Sequence, residues 1–210
     1  MAYYKRRFVH HQVPEADYFL TFRLAGSLAT PTVPIRIREL KGEDPRALRT
    51  DARSARVRIV PTYRLHSLRD LEQIRTPGSV GPRWLGRPKV AQIVADALHF
   101  RDGNQFTLFA YCIMSTHVHV ACHVVGSNGV RFPITDLLGR FKSYTGLQCN
   151  RVLHRTGAFW MQESHDCIIQ DEQHLKTVIR YILSNPVKAG LVQRWEEWRW
   201  TYCRQDLVPD

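Results

Sequence analysis

The chain reads as an α+β protein: a ferredoxin-like split β-α-β antiparallel sheet with an added C-terminal helix and a basic insertion after the first strand. Three observations carry that expectation. Segments of strand and helix periodicity follow one another as strand, helix, two adjacent strands, helix, strand, helix. A stretch of different composition, about residues 27–83, interrupts the series after its first strand. Apolar residues make up 44% of the 210, enough for one proper core, so a single domain over 1–210 is expected.

Each element has its own signal. "DYFLTFRLA" (17–25) is aromatic and apolar and reads as the first strand. The insertion is rich in Arg and Pro, with some helix inside; it is either a solvated connection or an electrostatic hand on nucleic-acid backbone. "PKVAQIVADALHF" (88–100) has Pro88 in its first turn and Val90, Ile93, Val94, Ala97 and Leu98 on one helical face. "FTLFAYCIM" (106–114) is a buried strand, joined by a short turn at Ser115–Thr116 to a second strand over 117–124. The next helix, "ITDLLGRFKSYTGLQCNRVL", turns Ile134, Leu137, Leu138 and Phe141 inward. "SHDCII" (164–169) is a short strand, after which Asp171 caps the helix "EQHLKTVIRYILSN", ended by Pro186. "RWEEWRWTY" (194–202) is a closing helix or strand that packs on the sheet, in preference to a DNA-facing edge.

Charge narrows the partners. Thirty Lys and Arg against 19 Asp and Glu give a net charge of +11 and a pI near 9.8, which favours polyanions, nucleic acid first. The five cysteines form no C-x-x-C pair, which argues against a disulfide framework or a cysteine zinc finger. The start, "MAYYKRRFVHHQV", has positive charge but no apolar signal core, and no apolar run is long enough for a membrane. A soluble, reduced, cytoplasmic protein is expected.

Within "YCIMSTHVHVACHV" (111–124), side chains alternate between faces, so His117, His119 and His123 project together and Val118, Val120, Cys122 and Val124 project oppositely. One reading is a half-exposed strand that happens to carry histidines; the other is a metal site built on two neighbouring imidazoles. His123 lies ~13 Å along the strand from His119 at ~3.3 Å per residue, too far to share one ion. In the last helix, Leu175, Val178, Ile179, Ile182 and Leu183 form a core stripe. His174, Thr177, Tyr181 and Asn185 fall on a stripe rotated away from it, with Tyr181 and Asn185 one turn apart. Taken singly, Tyr181 is a ring at the core margin and Asn185 a helix-ending residue. Beside a metal, the pair has the parts of a nucleophile site. A cation offsets charge on a phosphodiester, and a tyrosine hydroxyl of pKa about 10 needs nearby positive charge or a base to attack near neutrality.

The stretches "YFLTFRLAGSL", "AYCIMSTHVHV", "FKSYTGLQCNRVLHRTGAFWMQESHDCII" and "YILSNPVKAGLV" resemble the REP-associated tyrosine transposases, relatives of the single-strand insertion-sequence transposases among the HUH (His-hydrophobic-His) endonucleases. H-V-H alone is a weak signal; followed about sixty residues later by Y-x-x-x-N-P-V-K-A-G, it is specific. The resemblance implies that His117 and His119 ligate a metal, that Asn185 completes its protein ligands, and that Tyr181 is the nucleophile. It implies Mg²⁺ or Mn²⁺. An imidazole pair alone suits softer metals, and the Asn carbonyl, phosphate oxygens and water harden the site.

The implied reaction is attack of Tyr181 on single-stranded DNA beside an imperfect palindromic hairpin of the REP type. It leaves a 5′-phosphotyrosine link and a free 3′-hydroxyl that allows rejoining. The chain departs from the family in carrying Ser115–Thr116 where members commonly have Pro-Asn or Pro-Asp before the first histidine. Tyr144, in "FKSYTG", is the rival nucleophile. Arg140, Lys142, Arg151, Arg155 and Lys188 are candidate phosphate contacts, and Trp160 stacks on an unpaired base or packs in the core. The expected enzyme is nucleoid-associated and works as a monomer or weak homodimer. The alternative is a non-catalytic DNA-hairpin-binding protein on the same fold; a metal-dependent nuclease of another kind or an RNA-binding protein is a third reading.

Overall fold

Alternation along four segments builds the sheet. The computed structural model describes residues 15–27, 81–125 and 133–209, so the insertion read over 27–83 lies almost wholly outside the described residues. The strands are β1 (Asp17–Leu24), β2 (Phe106–Ile113), β3 (His117–Val124), β4 (Trp160–Ile168) and a short β5 (Thr201–Cys203). They form one sheet in the order β4-β1-β3-β2-β5 with every paired neighbour antiparallel. The first four strands have the order that a split β-α-β sheet requires, and β5 extends it at the β2 edge. "RWEEWRWTY" therefore supplies a short helical turn (Trp195–Glu197) and the start of a packing strand.

Two helices cover one face: α1 (Pro88–His99) and α2 (Ile134–Val152). Against them lie Tyr18, Leu20, Phe22, Val118, Val120 and Cys122, all buried, with Val90, Val94, Leu137 and Phe141 from the helices. Each such large side chain contributes about 1.5–3 kcal/mol through burial. The other face carries α3 (Glu172–Lys188), whose Val178, Ile179, Ile182 and Leu183 pack on Phe19, Phe109, Ala110, Cys112 and Ala121. Asp171 caps α3 as expected, its carboxylate accepting from the His174 N–H at 2.7 Å. Among the described residues, no helix is long and apolar enough to cross a membrane.

Three expectations need correction. Strand β4 begins at Trp160, before the expected Ser164, because the chain pairs with β1 across a register shift that sets Leu24 opposite Trp160. Helix α3 does not stop before Pro186 but runs through it to Lys188. The proline stands in the last turn, where its missing N–H costs only the bond to the Ile182 carbonyl. Ser184 and Asn185 side chains bond back to the Tyr181 carbonyl at 2.9 and 2.7 Å, and Ala189 N–H closes the turn on Asn185. Finally, Tyr181 is not rotated away from the core; its ring is 7% exposed and belongs to the α3 side of it. The helix lies flat on the sheet, so a stripe adjoining the apolar one is also covered.

Candidate active site

The histidine face of β3 is held from beneath by β1. Register places Thr21 opposite His119 and Arg23 opposite His117. The Thr21 hydroxyl bonds the Nδ1 of His119 at 2.9 Å, and Phe19 stacks on the same imidazole with ring centroids 5.7 Å apart. His117 is half-buried and its Nδ1 bonds the Thr116 hydroxyl, also at 2.9 Å. The two imidazoles meet edge to face at 4.7 Å. Both rings are thus tied at Nδ1 by a threonine, which fixes their orientation and leaves Nε2 for another partner. The Nε2 of His119 is buried and has no hydrogen-bond partner among the described residues.

Burial keeps both imidazoles neutral. Desolvation, then the charge of Arg23, pushes the His117 pKa down to about 3. Desolvation also holds His119 well below the usual range, with His117, Arg23 and His165 adding to the effect. Neutral imidazoles with an open Nε2 are the form in which histidine binds a metal. No group of three or more His, Cys, Asp or Glu that could hold a metal gathers among the described residues. Two imidazoles would need Asn185 and oxygens from substrate or water to complete a shell.

α3 lays Tyr181 across this face. Its ring stands edge-on to His119 at 5.3 Å and to Phe19 at 5.8 Å. Asn185 follows one turn later; its amide N–H donates to the Tyr181 carbonyl at 2.7 Å, which leaves its oxygen as the available acceptor. Lys188 brings its ammonium 5.7 Å from the centre of the Tyr181 ring. His117, His119 and Tyr181 are therefore joined by ring contacts between β3 and α3, and Asn185 stands one turn beyond Tyr181 on the same helix.

Apart from Lys188, the other sequence-derived candidates sit away from this cluster. Tyr144 is half-exposed on α2, which packs against the opposite face of the sheet, and Arg101 lies 5.7 Å over its ring. His123 bonds Asp17 at 2.7 Å, as a surface pair. Trp160 is a core residue: it is 7% exposed, packs edge-on to Phe22 and Phe159, and donates Nε1–H to Thr145 at 2.8 Å. Lys142 straps α2 to the β4 edge, its ammonium donating to the carbonyls of Met161, Gln162 and Glu163 at 2.9–3.3 Å. Desolvation there lowers its pKa to about 8, against a smaller opposing effect of Glu163. Both line a groove of about 430 Å³ between α2 and β4. Arg155 is braced by Asn150 at 2.6 Å and lies 3.8 Å over Trp84. Arg140, Arg151 and Lys188 are exposed.

Sequence reasoning missed Thr21, Arg23 and Thr116. Alternation in "DYFLTFRL" puts Phe19, Thr21 and Arg23 on one face, but only the register against β3 tells which histidine each meets. The turn at Ser115–Thr116 has a structural consequence: the Thr116 hydroxyl supplies the oxygen that positions His117.

Comparisons bear on this geometry. No family model matches the sequence. A Haemophilus influenzae protein provisionally named a REP-associated tyrosine transposase is 25% identical over 108 residues, 49% of this chain and 61% of that protein, so less than two thirds of the relative is matched. A solved structure of a REP-associated tyrosine transposase bound to a REP hairpin superposes with a TM-score of 0.53 at 14% identity. It covers 100% of this chain and 89% of that one. The chain thus resembles these transposases in sequence and shares the fold.

Proposed function

We propose that the chain is a metal-dependent single-stranded DNA endonuclease and strand transferase of the REP-associated tyrosine transposase kind. It cleaves beside a palindromic hairpin through a covalent 5′-phosphotyrosine link. The observation that carries this reading is the placement of the buried Tyr181 ring edge-on to His119, with Asn185 one turn further along the same helix. The donor types fit the divalent cation implied by the resemblance: two neutral imidazoles oriented through Nδ1, the Nε2 of His119 without a partner among the described residues, and an amide oxygen on Asn185 that is not used by its bond to the Tyr181 carbonyl. His117, His119 and Asn185 would hold Mg²⁺ or Mn²⁺, which when bound offsets negative charge on the phosphate oxygens.

The chain's own residues do the rest. Tyr181 presents its hydroxyl from a helix packed on the sheet, a stiff mount that limits its search for the phosphorus. Its oxygen bonds to phosphorus while the bond to the 3′-oxygen breaks, and that oxygen leaves with a proton as a 3′-hydroxyl. Because the phosphotyrosine link retains the bond energy, attack by a 3′-hydroxyl rejoins a strand without ATP. Lys188 adds positive charge beside the Tyr181 ring. The resemblance to a protein solved with a REP hairpin supports a hairpin as the DNA recognised.

A denaturing gel tests this reading directly. Single-stranded hairpin oligonucleotides are incubated with Mn²⁺ or Mg²⁺ and the wild type, Tyr181→Phe or Tyr144→Phe chain. A covalent adduct lost only in Tyr181→Phe is the expected result. Loss only in Tyr144→Phe would move the chemistry to the opposite face of the sheet. Binding of hairpins with no adduct in any chain would favour the non-catalytic hairpin binder.

A further inference from the structure

We infer that Arg23 is a catalytic residue of this site: its guanidinium grips the non-bridging oxygens of the scissile phosphate beside Tyr181. The inference rests on the strand-cleavage reading above and names a contact to the substrate that neither the histidines nor Asn185 provide.

Placement comes first. On β1, Phe19, Thr21 and Arg23 share the face that meets α3. Phe19 stacks on His119 and touches Tyr181, and Thr21 bonds His119. Arg23 is the next residue on that face, in register with His117. Facing partners on antiparallel strands lie ~4.5–5.5 Å apart at Cα, so an arginine side chain is long enough to span from β1 to the cluster. Arg23 is half-buried there.

Charge then selects a ligand class. Burial works against the Arg23 cation, and Tyr181 is the neighbour that favours it. A half-buried cation in register with His117 gains most from an anion of matching shape. A phosphodiester offers two non-bridging oxygens in the spacing that a guanidinium fork accepts. In the step itself the Tyr181 oxygen bonds phosphorus and the 3′-oxygen departs with a proton. Arg23 exchanges no proton; it holds the oxygens on which charge accumulates.

The test compares two substrates. Adduct formation is timed on a hairpin oligonucleotide with a normal scissile diester and on one whose scissile phosphate is an uncharged methylphosphonate. Arg23→Gln is expected to slow the diester reaction about 100-fold relative to wild type, the scale of losing a charge-stabilising donor. On the methylphosphonate, which has no anionic charge to grip, the same variant is expected within about 5-fold of wild type. Arg23→Lys keeps the charge without the fork and should fall between. If Arg23→Gln does not fold, Arg23→Lys carries the same two-substrate comparison. A diester rate within about 3-fold of wild type, or equal losses on both substrates, would overturn the role of Arg23 and leave cleavage by Tyr181 standing. No adduct from the wild type on the diester would overturn the cleavage reading and the Arg23 role together.

Discussion

Along β3, Val118, Val120, Cys122 and Val124 look toward α1 and α2, whereas His117 and His119 look toward α3. The two sides are made from alternate residues of one strand, yet they obey different rules. The α1–α2 side is a continuous apolar packing of aliphatic and aromatic rings with Phe22, Phe141 and Trp160 at its centre. The α3 side has an apolar packing of its own, but its polar atoms are assigned partners one at a time: Thr21 to His119, Thr116 to His117, Asn185 to the Tyr181 carbonyl. A face stabilised by apolar area tolerates little change in volume. A face that also carries oriented polar groups is sensitive in addition to the loss of a donor or acceptor. The same sheet can therefore be stiff on one side and chemically equipped on the other.

Substitutions should separate the two sides. The largest expected effect is from His119→Ala, which removes the imidazole whose Nε2 has no partner among the described residues. Adduct formation per folded molecule should fall at least about 1,000-fold, roughly 4 kcal/mol, while the stability loss from the orphaned Thr21 hydroxyl, about 1–3 kcal/mol, stays below that of Phe22→Ala. Phe22→Ala, on the opposite side of the sheet, should do the reverse: a loss of about 3–5 kcal/mol in urea unfolding, with cleavage per folded molecule unchanged. Both variants losing stability and activity alike would break the division between the faces.

A smaller effect is expected from Thr145→Val. It leaves the buried Trp160 Nε1–H without its 2.8 Å acceptor and should cost about 1–3 kcal/mol of stability and no activity.

Titration sharpens the contrast further. His117 and His119 are held neutral by burial, with His117 pushed down to about 3 from an ordinary 6.5. Between those values the unfolded chain binds protons that the folded chain refuses. Stability, followed by urea unfolding in chelator, should therefore be flat above pH 6.5 with respect to these groups and decline as pH falls through 6.5 toward 3. Replacing both histidines by Asn should flatten that decline. An equal pH slope in the double variant would place the titrating groups elsewhere.

Much of this division is legible in the sequence, and the rest is not for identifiable reasons. Period-2 alternation in "HVHVACHV" gives the two faces of β3, and period-3.6 apolar spacing gives the buried sides of α1 and α2. The strand and helix order points to the split β-α-β sheet, which the antiparallel order β4-β1-β3-β2 matches. Register is not written locally, so the neighbours Thr21 and Arg23 emerge only from the pairing of β1 with β3. Tyr181 looked peripheral because helical stripes locate a core direction but not how broadly the sheet covers the helix. Pro186 looked like a stop because the rule against interior proline weakens in a final turn closed by side chains. Trp160 and Lys142 looked available to DNA because the carbonyls and hydroxyl that engage them come from distant segments.

The central claim is that the α3 side of the sheet performs chemistry through Tyr181, and mapping the covalent attachment tests it most directly. The adduct formed on a hairpin oligonucleotide would be digested with nuclease and protease and its modified peptide sequenced by mass spectrometry. This account expects a 5′-phosphonucleotide on the Tyr181 oxygen and a free 3′-hydroxyl on the released strand. Attachment at Tyr144, on the opposite side of the sheet, or no attached peptide at all would contradict it.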